Sequence, residues 1–387
     1  MKTPFLLLAA ATVVAAINVS CSDSEKKKLS QIETIEFNCD QATKYFNLAT
    51  IVDTASFETI ALETNDDCLI GQVSKMLFHN DTIIIVDKIT KSIFLFDDKG
   101  KFLSKICRVG RGPQEYLDLT DACVGNDHIL VIDNNQRKIF CYNFNGKYRS
   151  GFEAKEGWRI TECDGKIFVA TAWGGGAGWN DHKMAVYDTL GNIVEYYIKT
   201  SEDDKNRIEN SGSDYFIKKK NGFEFLLHSK NIIYSYNNGQ FAPSYRVSFG
   251  EYDMPDEIAQ KGVLYVVPNN LHKKFAMGVD KIMYWNRYRF ISAHVKDDIY
   301  YHIYDSVEKT STVCSHFKID DLPILAMNGF INGDLLYYYY EREFLNLCKK
   351  EFWAFEPPQG YEEKIRQAAM GLADDDNGLI IRIKIKD

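Results

Sequence analysis

Two short segments of this 387-residue chain carry the residue types that could do chemistry. The first is Arg108-Val109-Gly110-Arg111-Gly112-Pro113-Gln114-Glu115. Planar guanidinium groups beside glycine amides can hold an anion or a carboxylate. The same residues also read as a structural turn, since glycines tolerate positive φ, Pro113 fixes its own, and Arg108, Arg111 and Glu115 can pair around it. The second segment is Trp173-Gly174-Gly175-Gly176-Ala177-Gly178-Trp179-Asn180, a Gly-rich loop between two indoles. Flat aromatics on a loop suit stacking on a sugar ring or a peptide; alternatively they cover the edge of a long hairpin. The loop lacks Gly-x-Gly-x-x-Gly spacing and leads into no helix-forming stretch, so it is no nucleotide fingerprint.

Other chemistries find little support. The eight histidines are scattered, with no metalloprotease pair at helical spacing. Only His182, near the Trp loop, and His294 and His302, in the unit that starts near Arg289, are candidates among them. There is no Gly-x-Ser-x-Gly elbow. Asp374-Asp375-Asp376-Asn377-Gly378 fails the EF-hand spacing and reads as a solvated turn. Eight cysteines beyond Cys21 form no Cys-x-x-Cys or zinc pattern, and several sit in apolar runs, which predicts buried thiols. No metal and no cofactor is expected. Paired carboxylates brought together from distant segments, as glycoside hydrolysis requires, stay open.

The chain begins with Lys2, an apolar run from Phe5 to Ile17, and Asn18-Val19-Ser20-Cys21. The run is too short to span a bilayer. The step into Cys21 resembles a lipobox, apart from Asn18 where an aliphatic residue is usual. The expectation is a signal peptide over 1–20 and lipidation of Cys21. A hydrated tether over 21–31 follows, with attachment to the outer membrane facing periplasm or exterior. Losing Lys2 moves the net charge from −8 to −9. A mildly acidic domain offers no footprint for nucleic acid.

The candidate residues are positioned by a repeat. Asp81-Thr82-Ile83-Ile84-Ile85-Val86-Asp87, then Ile93-Phe94 and Gly100-Lys101, return 46 residues later as Asp127 to Asp133, Ile139-Phe140 and Gly146-Lys147. A recurring β-rich unit of this size is a propeller blade. With 24 Phe and 23 Tyr against 8 Pro, the rest of the chain supports the same short alternating strands. Further units start near Lys166, Phe223, Arg289 and Leu335. The expected fold is therefore all-β, a six-bladed β-propeller over 32–387 of mainly four-stranded antiparallel blades. Residues 150–220 and 251–285 are read as insertions. Short helices are predicted over Asp253–Lys261, with Asp253 as N-cap, and over Glu362–Ala373. Ile51–Leu62 is expected to close the ring against Leu379–Ile385.

The segment Gly110-Arg111-Gly112-Pro113-Gln114-Glu115-Tyr116 resembles the hallmark Gly-Arg-Gly-Pro-Gly-Glu-Tyr stretch of the six-bladed β-propeller lipoproteins, relatives of NHL-repeat propellers. Ile93 to Asp97, Gly100-Lys101-Phe102, the lipobox and the Asp-Asn step at Asp376-Asn377 also fit, so the likeness spans the mature chain. Gln114 and Gly378 depart from it, where Gly and Pro are usual. The resemblance implies an architecture and an envelope location rather than a reaction. The expected role is a non-enzymatic binding or scaffold module. It would engage a glycan, a peptide or an envelope protein through Trp173, Trp179, Arg108 and Arg111. The rival is a propeller hydrolase or lyase with acids or histidines converging at the channel mouth.

Overall fold

A computed structural model of the chain describes residues 31–171, 179, 181–207, 215–319, 322–324, 329–349 and 360–386. Six small sheets form a ring, the expected six-bladed β-propeller. Blade I comprises Lys75–His79, Thr82–Asp87, Ser92–Asp97 and Phe102–Ile106; blade II runs from Asp121 to Glu153, and blade III from Arg159 to Lys199. Blade IV spans Phe216–Ser248 and blade V Ala276–Ile319. Blade VI takes Phe330–Asn332, Leu335–Tyr340 and Leu379–Ile385 from the C-terminal part. Its fourth strand comes from the N-terminal part. The first strands of neighbouring blades line the axis.

The repeat has a physical cause at its aspartates. Asp87 and Asp133 are both fully buried. Asp87 accepts from the amides of Ile89 (2.9 Å) and Thr90 (3.1 Å) on one oxygen, and from Gly71 (2.7 Å) on the other. Asp133 does the same with Asn135 (2.8 Å), Gln136 (3.1 Å) and Leu117 (2.6 Å), each 46 residues on. One carboxylate thus closes the central turn of a blade and pins the chain arriving from the blade before. Buried charge is tolerated because each oxygen is satisfied by amides.

The core is six interfaces rather than one centre. Each pair of neighbouring blades shares one apolar cluster, such as Phe168, Met184 and Val186 of blade III against Phe223, Phe225 and Tyr236 of blade IV. The abundant Phe and Tyr fill these sandwiches.

The N-terminal segment stitches three of the blades. Strand β1 (Glu33–Glu36) adds in parallel to the outer edge of blade IV, and β2 (Thr43–Asn47) in parallel to that of blade V. Strand β3 (Val52–Ala61) then pairs antiparallel with Leu379–Ile385 and completes blade VI, as expected. The two parallel additions were not legible as strands. Buried Asn377 clamps the seam: it accepts from Ile70 N (2.9 Å) and donates to Glu63 O (2.8 Å) and Cys68 O (2.7 Å). Beside it, Gly378 donates its amide to the Tyr339 hydroxyl (3.0 Å), a bond that proline could not make.

Some local expectations need correction. Residues 148–153 are the outer strand of blade II and 159–199 are blade III itself, which leaves 200–215 of the first expected insertion, and blade V starts at Ala276, which leaves 249–275 of the second. The first helical stretch splits into α1 (Asp256–Ala259) and α2 (Val263–Val266). Asp253 caps neither helix, because its carboxylate takes Ser248 Oγ and Phe249 N, both at 2.8 Å. Blade VI carries α3 (Arg342–Lys349), which was not expected, and α4 (Tyr361–Met370). Of the eight cysteines described, six are buried, Cys163 is half-buried and Cys107 is exposed.

The stitched segment is part of the core. Phe37 is buried between blades IV and V, 5.3 Å from the Phe249 ring and 5.7 Å from His302. Phe37→Ala is expected to cost about 3–5 kcal/mol, read as a lower denaturant midpoint at unchanged slope, whereas a loss below ~1 kcal/mol would contradict this placement.

Candidate functional site

Strand direction alternates within every blade, so connections fall on two opposite faces. On one face they are turns of two to five residues, from 80–81 in blade I to 333–334 in blade VI. Every longer connection emerges on the other face: 62–74, 107–120, 171–181, 200–215, 249–275, 320–329 and 341–378. This loop face carries the 107–116 segment and Trp179; the rest of the second segment lies outside the described residues.

The 107–116 segment is a rigid turn. Gly110 N donates to Tyr116 O (3.0 Å) and Tyr116 N to Arg108 O (2.9 Å). The Tyr116 ring is buried, with its hydroxyl on Lys91 O at 2.8 Å. Glu115 turns inward: it accepts from Gly112 N (2.8 Å), and its carbonyl accepts from Gln136 Nε2 (2.9 Å). A Cβ on Gly110 would lie 1.9 Å from the Glu115 carboxylate, so a side chain there would have to push Glu115 off its bond to Gly112 N. Gln114 contributes its carbonyl to the Tyr142 hydroxyl at 2.9 Å, which a glycine would do equally well. The expected Arg–Glu pairing around the turn is absent. Arg108 and Arg111 are exposed and make no ion pair with a described residue.

Trp173 lies outside the described residues. Trp179 is fully buried among Ile160, Val169, Ala185 and Tyr187 between blades II and III. An indole with no exposed surface offers nothing to stack on, so Trp179 roots its loop rather than touching a ligand. Its carbonyl meets His182 Nδ1 at 3.0 Å. Burial holds His302 down to about 4, a neutral core residue, and His294 is half-buried.

Two polar clusters at the turn-face end of the inner strands were missed. His128 Nε2 lies 2.7 Å from Glu162 Oε2 and its Nδ1 lies 3.0 Å from Asp127 Oδ1, while Arg149 holds the same Asp127 oxygen at 2.8 Å. Hydrogen bonds to Glu162 and Asp127 raise the His128 pKa. Both ring nitrogens then donate, which leaves no lone pair for a general base. In the second cluster, buried Glu224 accepts from the Tyr284 hydroxyl (2.6 Å) and the Tyr245 hydroxyl (3.1 Å) and pairs with Lys219. Burial raises both tyrosine pKa values and keeps them donors. Each cluster left a mark in the sequence. His128 stands where the first repeat has Thr82, and Glu224 interrupts an apolar strand.

Burial also raises the thiols, Cys314 to about 12 and Cys39 to about 11, which disfavours either as a nucleophile. Among the described residues no group of three His, Cys, Asp or Glu could hold a metal ion. A cleft of about 290 Å³ opens on the loop face between blades IV and V. Its Arg207 is already held by Asp204 (2.6 Å) and Asp256 (2.8 Å), and its Lys230 by Asp204 (2.7 Å).

Over residues 32–384 the sequence matches the family described as Domain of unknown function (DUF4934). No curated protein matches it. Among solved structures, a Bacteroides fragilis protein described as exported is similar at 18% identity and a TM-score of 0.73, over 92% of this chain and 100% of that one. A DUF4221-family member from Bacteroides vulgatus is similar at 13% identity and a TM-score of 0.50, over 87% and 100%. At these identities the likeness is one of fold.

The His128 cluster sets a pH dependence. A raised folded pKa gives stability that is present below the unfolded value of about 6.5 and is lost as pH rises through the folded value. The stability gap between the wild type and His128→Gln should therefore be widest near about pH 6 and narrow toward about pH 9 in denaturant titrations. A gap that widens with pH would contradict the assignment.

Proposed function

The chain belongs to the DUF4934 family, and from that premise we propose that it is a lipid-anchored envelope propeller that binds or scaffolds through its loop face. A glycan, a peptide or a neighbouring envelope protein is the ligand class. The observation that carries this reading is the turn at 107–116. Buried bonds fix its backbone while Arg108 and Arg111 project free of ion pairs among the described residues. A rigid turn pre-pays the ordering cost of binding, and guanidinium groups favour a carboxylate or other anionic group. Trp173, outside the described residues, is kept as the aromatic candidate of this reading, and buried Trp179 is not.

Anchoring rests on the leader and on Cys21. No helix among the described residues is long and apolar enough to cross a membrane. The similar B. fragilis protein is described as exported, which supports the same location. The rival reading, a hydrolase or lyase, draws on His128 and Glu162 at the turn-face end of the inner strands.

Metabolic labelling with a palmitate analogue should mark the wild type and not Cys21→Ala; equal labelling of both would end the anchoring reading. A glycan and peptide array, with products read by mass spectrometry, tests the rest. Arg108→Ala with Arg111→Ala is expected to weaken binding roughly tenfold or more, as loss of charge-assisted contacts does. Unchanged binding would remove the turn from the site. Turnover of a bound ligand that His128→Gln abolishes would favour the rival.

A further inference from the structure

The longest described connection on the loop face carries an exposed apolar tip. Residues 249–275 leave blade IV, form α1 and α2, and return to blade V. Within them Leu264 is 89% exposed, Val267 44% and Tyr265 38%. Exposed Pro268 follows directly. Beneath the tip the insertion is firmly seated. Val266 is fully buried, and the Gly262 backbone abuts Asn206, where a Cβ would lie 2.4 Å from the carbonyl oxygen. Tyr252 bonds Asp40 at 2.7 Å and stacks under Lys296 at 3.6 Å. Contiguous apolar side chains held outward on a fixed base mark an interaction surface.

Charge selects the partner. Although the chain as a whole is acidic, residues 260–275 contain no Asp or Glu and include Lys261, Lys273 and Lys274. Lys261 lies over the Tyr265 ring at 4.4 Å. Exposed aliphatic side chains beside a tyrosine that carries a lysine over its ring, in an acid-free lysine-bearing stretch, are the pattern of a segment that enters a lipid headgroup layer.

The position of the chain's beginning agrees. Strand β1 lies on the outer edge of blade IV, with Glu33 opposite Tyr245 and Glu36 opposite Ser248, immediately before this insertion. Gln31 therefore lies on the rim about 17 Å, or five strand residues, short of the loop face. The ten residues from Cys21 to Ser30 can extend about 33–36 Å. A lipid on Cys21 can thus lie in the plane that the tip reaches.

We propose that Leu264, Tyr265 and Val267 dock into the bilayer that holds the Cys21 lipid. This second contact turns the blade IV–V rim toward the membrane and leaves the 107–116 turn, on the opposite side of the ring, clear of it. The inference rests on the anchoring of Cys21 proposed above. Three apolar side chains bind a membrane only weakly alone, so they orient an anchored protein rather than recruit it.

The test places an environment-sensitive thiol fluorophore at Leu264→Cys in a Cys107→Ser background. The lipidated full chain is reconstituted into vesicles of phosphatidylethanolamine and phosphatidylglycerol containing spin-labelled lipid. Leu190→Cys, on a turn-face hairpin, serves as the control, and the Cys107→Ser parent as the blank. The expected result is quenching at position 264 at least threefold above that at position 190. Val267→Asp with Tyr265→Asp should reduce it to the control level while flotation with the vesicles persists. Equal quenching at the two positions in a floating protein, or stronger quenching at 190, overturns the inference and leaves the anchoring reading intact. A wild type that does not float with the vesicles sinks both.

Discussion

Everything in this propeller depends on a seam that no covalent bond closes. Strand β3 meets Leu379–Ile385 in a register that runs from Ala61 opposite Leu379 to Val52 opposite Ile385. Without it blade VI has three strands and the apolar cluster it shares with blade I loses Ile60 and Leu62. Buried Asn377 spends its side chain on three backbone partners across this seam. On the outer side Arg382 pairs with Glu58 at 2.5 Å, and Gly100 of blade I packs so closely on Ala61 that a Cβ would lie 2.3 Å from its carbonyl oxygen. The two strands added before β3 extend the same principle. They bind the N-terminal segment to blades IV and V before it reaches the seam, so the ring is tied at three successive blades.

Ring closure also decides where function can reside. With every blade packed against its neighbours, the connections on the turn face stay at two to five residues. The loop face takes all the length. Its connections are rooted by buried residues such as Tyr116, Trp179 and Phe249, whereas Arg108, Arg111 and Leu264 project from those roots. Recognition groups on rigid supports lose little entropy on binding. The buried charge of the chain follows a different logic. Asp87, Asp133 and Glu224 are satisfied by amides, hydroxyls or an ammonium, and they specify blade geometry rather than chemistry.

The blades, the closing strand and the turn at 107–116 were legible because each leaves a periodic or positional trace. Asp87 and Asp133 recur at a fixed offset since the same hydrogen bonds recur. Strands β1 and β2 left no such trace: they are short, half polar and parallel, and only the blade edges beside them give them a partner. Helix α3 was not read from the sequence; only two of its described side chains, Leu345 and Cys348, are buried, with Leu345 in the core cluster of blade VI. For the candidate site, sequence singled out Arg108 and Arg111, which the structure places exposed on a rigid turn, but it could not tell an exposed tryptophan from Trp179, whose burial depends on blades II and III meeting. His128 and Glu162 are 34 residues apart, and their pairing follows from blade adjacency alone.

Hydrogen exchange of the native protein, read strand by strand, tests the dependence on the seam most directly. If closure holds the ring, the amides of β3 and of Leu379–Ile385 will exchange with the same free energy as Ile83–Val86 and Leu130–Ile132 of blades I and II, through global unfolding. Fast exchange of the seam by local opening, while blades I and II stay protected, would show that the ring stands without it.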